Sequence, residues 1–149
     1  MCALTPALPA PPAPTGAAAQ GESMGFGAFM WVHNVRNDDV LLLISDVECM
    51  YDNGSEGSNL EAFNDVIVGA KQYVPSGSGS QYIEAKNSGG CWGVTSKFTL
   101  KAYKNSDMSA IGHINFTEGG GAYKSDTSGD MSVDIDNSAA QARIHVTVA

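Results

Sequence analysis

The closing stretch of the chain, from Met131 to Val148, alternates apolar and polar side chains. Ile144, Val146 and Val148 interleave with Arg143, His145 and Thr147. Met131, Val133 and Ile135 interleave with Ser132, Asp134 and Asp136. Successive side chains of a strand point to opposite faces, so each run offers one aliphatic face and one polar face. A helical repeat would scatter the same residues around its axis. Asn137, Ser138 and small alanines separate the two runs, which predicts a hairpin turning near Asp136 to Ala140.

The same rule extends upstream. Phe98, Leu100 and Ala102 alternate with Lys97, Thr99, Lys101 and Tyr103. Ala110, Gly112, Ile114 and Phe116 form one face of a second run, with His113, Asn115 and Thr117 on the other. Asn105-Ser106-Asp107 supplies the turn between them. Earlier, Phe29 to Val35 and Val40 to Tyr51 are apolar segments divided by Arg36-Asn37-Asp38-Asp39. Val66 to Val68 and Tyr82 to Ala85 complete the strands, with Pro75 to Ser80 a loop by composition. The helix signal is one short turn at Ser58 to Asp65, where Ser58 and Glu61 have capping-box spacing. About eight short strands with turn signals between them predict an all-β fold, a single antiparallel β-sandwich.

That domain does not use the whole chain. Of 149 residues, Met1 to Gly21 carry no charge and hold five of the six prolines. Proline removes backbone donors and biases the chain to extended forms, so residues 1–21 read as a disordered low-complexity tail and 22–149 as the domain. There is no basic stretch followed by an apolar one, so the tail does not read as a secretory signal. No apolar run is longer than that of Val40 to Ile44, far short of the roughly 18 residues of a membrane helix. The expected location is therefore cytosolic, or outside by a non-classical route. Eight Lys and Arg face sixteen Asp and Glu, a net charge of -8. Such a surface repels phosphate, so nucleic acid is not an expected partner. Anionic lipids offer it no attraction either.

Catalytic and metal signals are thin. Gly89-Gly90-Cys91-Trp92-Gly93 echoes the run around a papain-type thiol, but no histidine lies at the distance such enzymes need. The plainer reading is a glycine-rich turn in which Trp92 anchors the core edge. With Cys2 in the tail, at most Cys49 pairs with Cys91, and the residues leave that open. His33, His113 and His145 are isolated, and Asp134-Ile135-Asp136-Asn137 lacks the offsets of a calcium loop. Gly119-Gly120-Gly121-Ala122-Tyr123-Lys124 lacks the Walker spacing and reads as a flexible loop. The sequons Asn53-Gly54-Ser55 and Asn115-Phe116-Thr117 read as chance occurrences. No enzyme activity, cofactor or metal is expected. What is left is surface recognition by amphipathic rings at loop tips. Tyr51, Trp92 and Tyr123 are loop-borne, Trp31 in its strand reads as core, and Tyr123 beside Lys124 is the best exposed candidate.

Three stretches together resemble the aegerolysins, small acidic all-β proteins. Trp31-Val32-His33-Asn34-Val35 followed by Asp39-Val40 is similar to the family's opening. Ile83-Glu84-Ala85, Ser88-Gly89-Gly90, Lys97 to Leu100 and Ile111-Gly112-His113 follow the family's middle segments in order. Met131 to Ile135 and Ala139 to Val148 resemble its closing strands. The closing hairpin also resembles that of the actinoporins. The resemblance implies a β-sandwich that binds sphingolipid- or sterol-rich membranes, haemolytic or pore-forming with a larger partner protein. It departs where the family's aromatic run after its histidine is replaced by Ile114 to Gly121, and where a Trp-Gly-Lys is replaced by Met50-Tyr51-Asp52. The expected lipid-contact residues are Tyr51, Trp92, Tyr123 and Lys124, and the expected lipids neutral or zwitterionic. The alternative is a soluble carbohydrate- or protein-binding sandwich.

Overall fold

The computed structural model describes residues 27–51, 60–77 and 79–149. The expected tail, the sequon at Asn53 and the capping residue Ser58 lie outside the described residues. The strands are β1 Gly27–Asn34, β2 Val40–Glu48, β3 Val66–Val68, β4 Tyr73–Val74, β5 Gln81–Glu84, β6 Ser96–Lys104, β7 Ala110–Gly119, β8 Ala122–Gly129, β9 Met131–Asp136 and β10 Ala142–Val148. Among the described residues helical geometry is confined to two short 3-10 turns, Leu60–Phe63 and Gly89–Cys91.

The strands form two sheets. In one, β1 is central, with β10 and then β9 on one side and both β4 and β5 on the other. The second runs β3-β2-β6-β7-β8. The alternation reads out directly: Ala28, Met30 and Val32 of β1, Ile144, Val146 and Val148 of β10, and Phe98, Leu100, Ile114 and Phe116 of β6 and β7 are buried between the layers. Phe98 and Phe116 stack at 4.8 Å between ring centroids. The expected sandwich and its closing hairpin are both present. One ladder is parallel rather than antiparallel. The first and last strands pair in parallel from Ala28 opposite Ala142 to Asn34 opposite Val148. Pairing the two ends of the domain places no limit on connection length, so the direction is free of the hairpin constraint that fixes the other neighbours.

Two expectations are corrected here. Gly119 to Lys124 is not a flexible loop. Gly119 pairs with Ala122, and Gly120 and Gly121 alone make the turn, with φ of 64° and 91°. Two consecutive left-handed residues match the twist of a tight hairpin, which favours glycine at both positions. The turn launches β8, a strand whose run Lys124 to Gly129 is polar and exposed on both faces. The second correction follows from it. Tyr123 is not an exposed loop ring: it points inward from β8 and is 3 % exposed.

The two layers are tied by polar contacts at one corner. Asn34 is fully buried. Its Nδ2 donates to the carbonyls of Asp38 at 2.9 Å, Val68 at 3.0 Å and Gly69 at 3.1 Å. Its Oδ1 accepts the Arg36 N–H at 2.9 Å. The end of β1 in one sheet is thereby held to the end of β3 in the other.

Candidate functional site

Cys49 and Cys91 form a disulfide, closing a separation of 42 residues. It joins the segment after β2 to the glycine-rich turn before β6. Both partners of the bond are set by backbone contacts. Lys86 N–H donates to the Cys49 carbonyl at 2.7 Å, and Cys91 N–H donates to the Ser88 carbonyl at 3.0 Å. The pairing that the cysteine count left open is settled, and Cys91 is not a free thiol. A disulfide sulfur is not the thiolate nucleophile that a cysteine enzyme requires.

The bond clamps an apolar tip at one end of the sandwich. Trp92, next to Cys91, is 77 % exposed; Val94 is 41 % and Val47 38 % exposed. Each lies within a few residues of one of the two cysteines. Trp92 therefore does not anchor the core edge. Gly93 at φ 76° turns the chain directly after it, a conformation that glycine adopts without a Cβ penalty. Tyr51 belongs to the same end. Its N–H donates to the Glu84 carbonyl at 2.9 Å, and the Lys86 ammonium lies 5.2 Å from its ring centroid. Lys97 pairs with Glu48 at 3.3 Å across the base of the tip.

Of the four residues expected to touch lipid, Tyr51 and Trp92 are placed at the same end by the disulfide, each within two residues of one of its cysteines. Lys124 is exposed on the outer face of β8, opposite Thr117 and close to the turn at the same end. Tyr123 is separated from the other three by its burial. Its hydroxyl is hydrogen-bonded by the Ala85 backbone, and burial raises its pKa, with nearby Glu118 adding to the effect. Tyr123 seals the core beneath the tip and offers no accessible ring.

A second aromatic surface lies on the outer face of the β1 sheet. The residues of β1 that alternate with the core point outward: Phe29, Trp31 and His33. Trp31 is therefore half-buried on the outside, not core as the sequence suggested. Parallel pairing places His145 opposite Trp31, and the two rings stack at 5.0 Å and 14°. His33 stacks on Tyr73 of β4 at 4.0 Å and 7°. The two histidine rings are 6.5 Å apart, and the Arg143 guanidinium lies 5.3 Å from the Trp31 ring centroid. A near-parallel row of rings thus crosses three strands. Tyr82 continues the aromatic character, 5.4 Å from Phe29. Burial, with Glu84 adjacent, pushes the Tyr82 phenol up to about 12.

Two depressions flank Trp31. One, of about 320 Å³, is lined by Trp31, Tyr73, Gly77, Gly79, Ser80 and Arg143. The other, of about 380 Å³, is lined by Trp31, Asp134, Ile135, Asp136, Arg143 and His145. The third histidine, His113, is in β7 of the opposite sheet. Among the described residues no group of three His, Cys, Asp or Glu side chains converges as a metal site would require. Nor is any helix among them long and apolar enough to cross a membrane. Comparison with models of known protein families and with curated proteins returned no match.

Proposed function

We propose that this protein is a non-enzymatic module that binds the interface of neutral or zwitterionic membranes through the disulfide-clamped tip. The observation that carries the reading is Trp92, 77 % exposed on a turn held by Cys49–Cys91. A large ring kept in water has unrecovered hydrophobic free energy, and tryptophan favours the membrane interface, where its body is apolar and its N–H is wet. Val94 and Val47 widen the apolar contact, and Tyr51 adds a second amphipathic ring. Clamping lowers the cost of ordering the turn on binding. The sequence likeness to aegerolysins supports the same reading and extends it to sphingolipid- or sterol-rich targets. It also brings in a larger pore-forming partner, with this chain as the membrane-recognising component.

The test uses vesicles of sphingomyelin and cholesterol, sedimented with the protein. The parent protein should pellet. Trp92→Ala should weaken binding at least tenfold, since losing an anchor of this size removes about 1.5–3 kcal/mol. A Trp31→Phe variant leaves Trp92 as the sole tryptophan, and its emission should shift to the blue on vesicle addition. Equal pelleting of the parent and Trp92→Ala, or none by either across a lipid panel, sinks the proposal.

A further inference from the structure

The outer-face groove beside Trp31 lies away from the tip and has a different chemistry. We infer that it is a binding site for a carboxylate-bearing sugar, a uronic or sialic acid at the end of an oligosaccharide. The walls of the lobe between Trp31 and Tyr73 set its chemistry. Trp31 and Tyr73 supply ring surface, Ser80 a hydroxyl, Gly77 and Gly79 approachable backbone, and Arg143 a guanidinium. A volume of about 320 Å³ lies at the lower end of the range for small-molecule sites. Sugars are amphipathic: a C–H face packs on aromatic rings while the hydroxyl edge stays hydrated. An open surface groove suits that division, whereas a wholly apolar ligand would keep half its surface in water.

Charge narrows the class. Arg143 lies over the Trp31 ring and faces Asp136 across the β9–β10 ladder, which attracts it without a close salt bridge, so its guanidinium keeps donors free for a ligand. A guanidinium recognises a carboxylate with two parallel hydrogen bonds. The adjoining lobe carries Asp134 and Asp136, both exposed, which accept hydrogen bonds from sugar hydroxyls. The same carboxylates, on a chain of net charge -8, repel a multiply charged phosphate. His145 borders that lobe, and its Nε2 is buried with no hydrogen-bond partner. One positive group over the Trp31 ring, next to an acidic lobe, thus selects a single negative charge on an otherwise hydroxylated ligand. The ring row is already ordered by stacking of His33 on Tyr73 and His145 on Trp31, so little side-chain entropy is lost on binding.

The experiment is calorimetric titration of the full chain with methyl glucuronide, with N-acetylneuraminic acid and with neutral methyl glucoside. At least one acidic sugar should bind at least tenfold more tightly than the glucoside, and more weakly as salt rises. Arg143→Gln, an exposed position, should remove the preference for the acid. Tyr73→Ala, exposed on a short edge strand, should weaken every sugar. Trp92→Ala should leave free-sugar binding unchanged, so that failure at the groove and failure at the tip are read separately. Vesicles carrying an acidic glycolipid distinguish a lipid-borne sugar from a free one: binding there that needs Arg143 identifies the headgroup source. No binding of any sugar at millimolar concentration overturns the inference. So does equal binding of acid and glucoside, or an acid preference that survives Arg143→Gln.

Discussion

Asn34 and Tyr123 are the residues at which side-chain identity and tertiary position diverge most. Asn34 is polar yet fully buried, with both ends of its amide engaged. Asn34→Ala leaves the Val68 and Gly69 carbonyls without their donor inside the protein. A loss of about 2–3 kcal/mol of unfolding free energy, read from urea denaturation, is expected, since each orphaned buried group costs about 1–3 kcal/mol. Glu118 behaves oppositely. Burial raises its pKa above the ordinary 4.5, partly offset by the Gly121 N–H that its carboxylate accepts at 3.1 Å. A carboxyl with a raised folded-state pKa favours the fold when protonated, and that contribution is lost as pH rises through the raised value. Glu118→Gln keeps the acceptor without the charge. Its melting temperature should exceed the parent's at neutral pH and match it below the ordinary glutamate range. A variant less stable at neutral pH would contradict the assigned direction. None of these environments was legible locally. Asn34 was visible only as part of a resembling run, and Tyr123 sits among glycines and a lysine that spell a loop. The hydrogen bonds to the opposite sheet and the closure of the β7–β8 hairpin decide both.

At the scale of elements, alternation carried most of the information. The inward sets of β9 and β10, and those of β6 and β7 through Phe98, Leu100, Ala102, Ile114 and Phe116, follow from period-two reading; at the start of β7 a register shift exposes Ala110 and buries Ile111 instead. Two elements escaped it for opposite reasons. β8 is an edge strand that is polar on both faces after Tyr123, so no apolar face advertises it. β4 has only two residues, too short for a period. The disulfide is an element-scale device as well, since it fastens the segment after β2 to the turn before β6. Loop closure over 42 residues is worth up to about 4 kcal/mol by chain-entropy arithmetic. The double variant Cys49→Ala/Cys91→Ala should lose about 2–4 kcal/mol in denaturant unfolding. It should also bind vesicles more weakly, because the Trp92 turn is no longer clamped. Unaltered vesicle binding by this variant would separate the tip's function from its clamp.

For the whole molecule, net charge and topology set the terms of recognition. A protein of charge -8 should be repelled by anionic membranes at low salt. Adding phosphatidylserine to the sphingomyelin–cholesterol vesicles is expected to reduce pelleting, with recovery as salt screens the repulsion. Increased pelleting would mean that Lys86, Lys97 and Lys124 form a contact stronger than the net charge allows. The proposed surfaces differ in how far the chain announced them. Trp92 and Tyr51 were recognisable as loop-borne amphipathic rings, and only the disulfide showed that they share an end. The groove was hidden, because its rings arrive from β1, β4 and β10, whose neighbours in space lie far away in sequence. By itself the sequence determined the all-β class, most strand positions and most of the residues that face inward, since these depend on the alternation of neighbouring side chains. The tertiary structure alone decided the parallel pairing of first and last strands, the outward placement of Trp31 and the inward placement of Tyr123. Those depend on contacts between distant segments, and local periodicity assigns a side chain to a face without saying what that face meets.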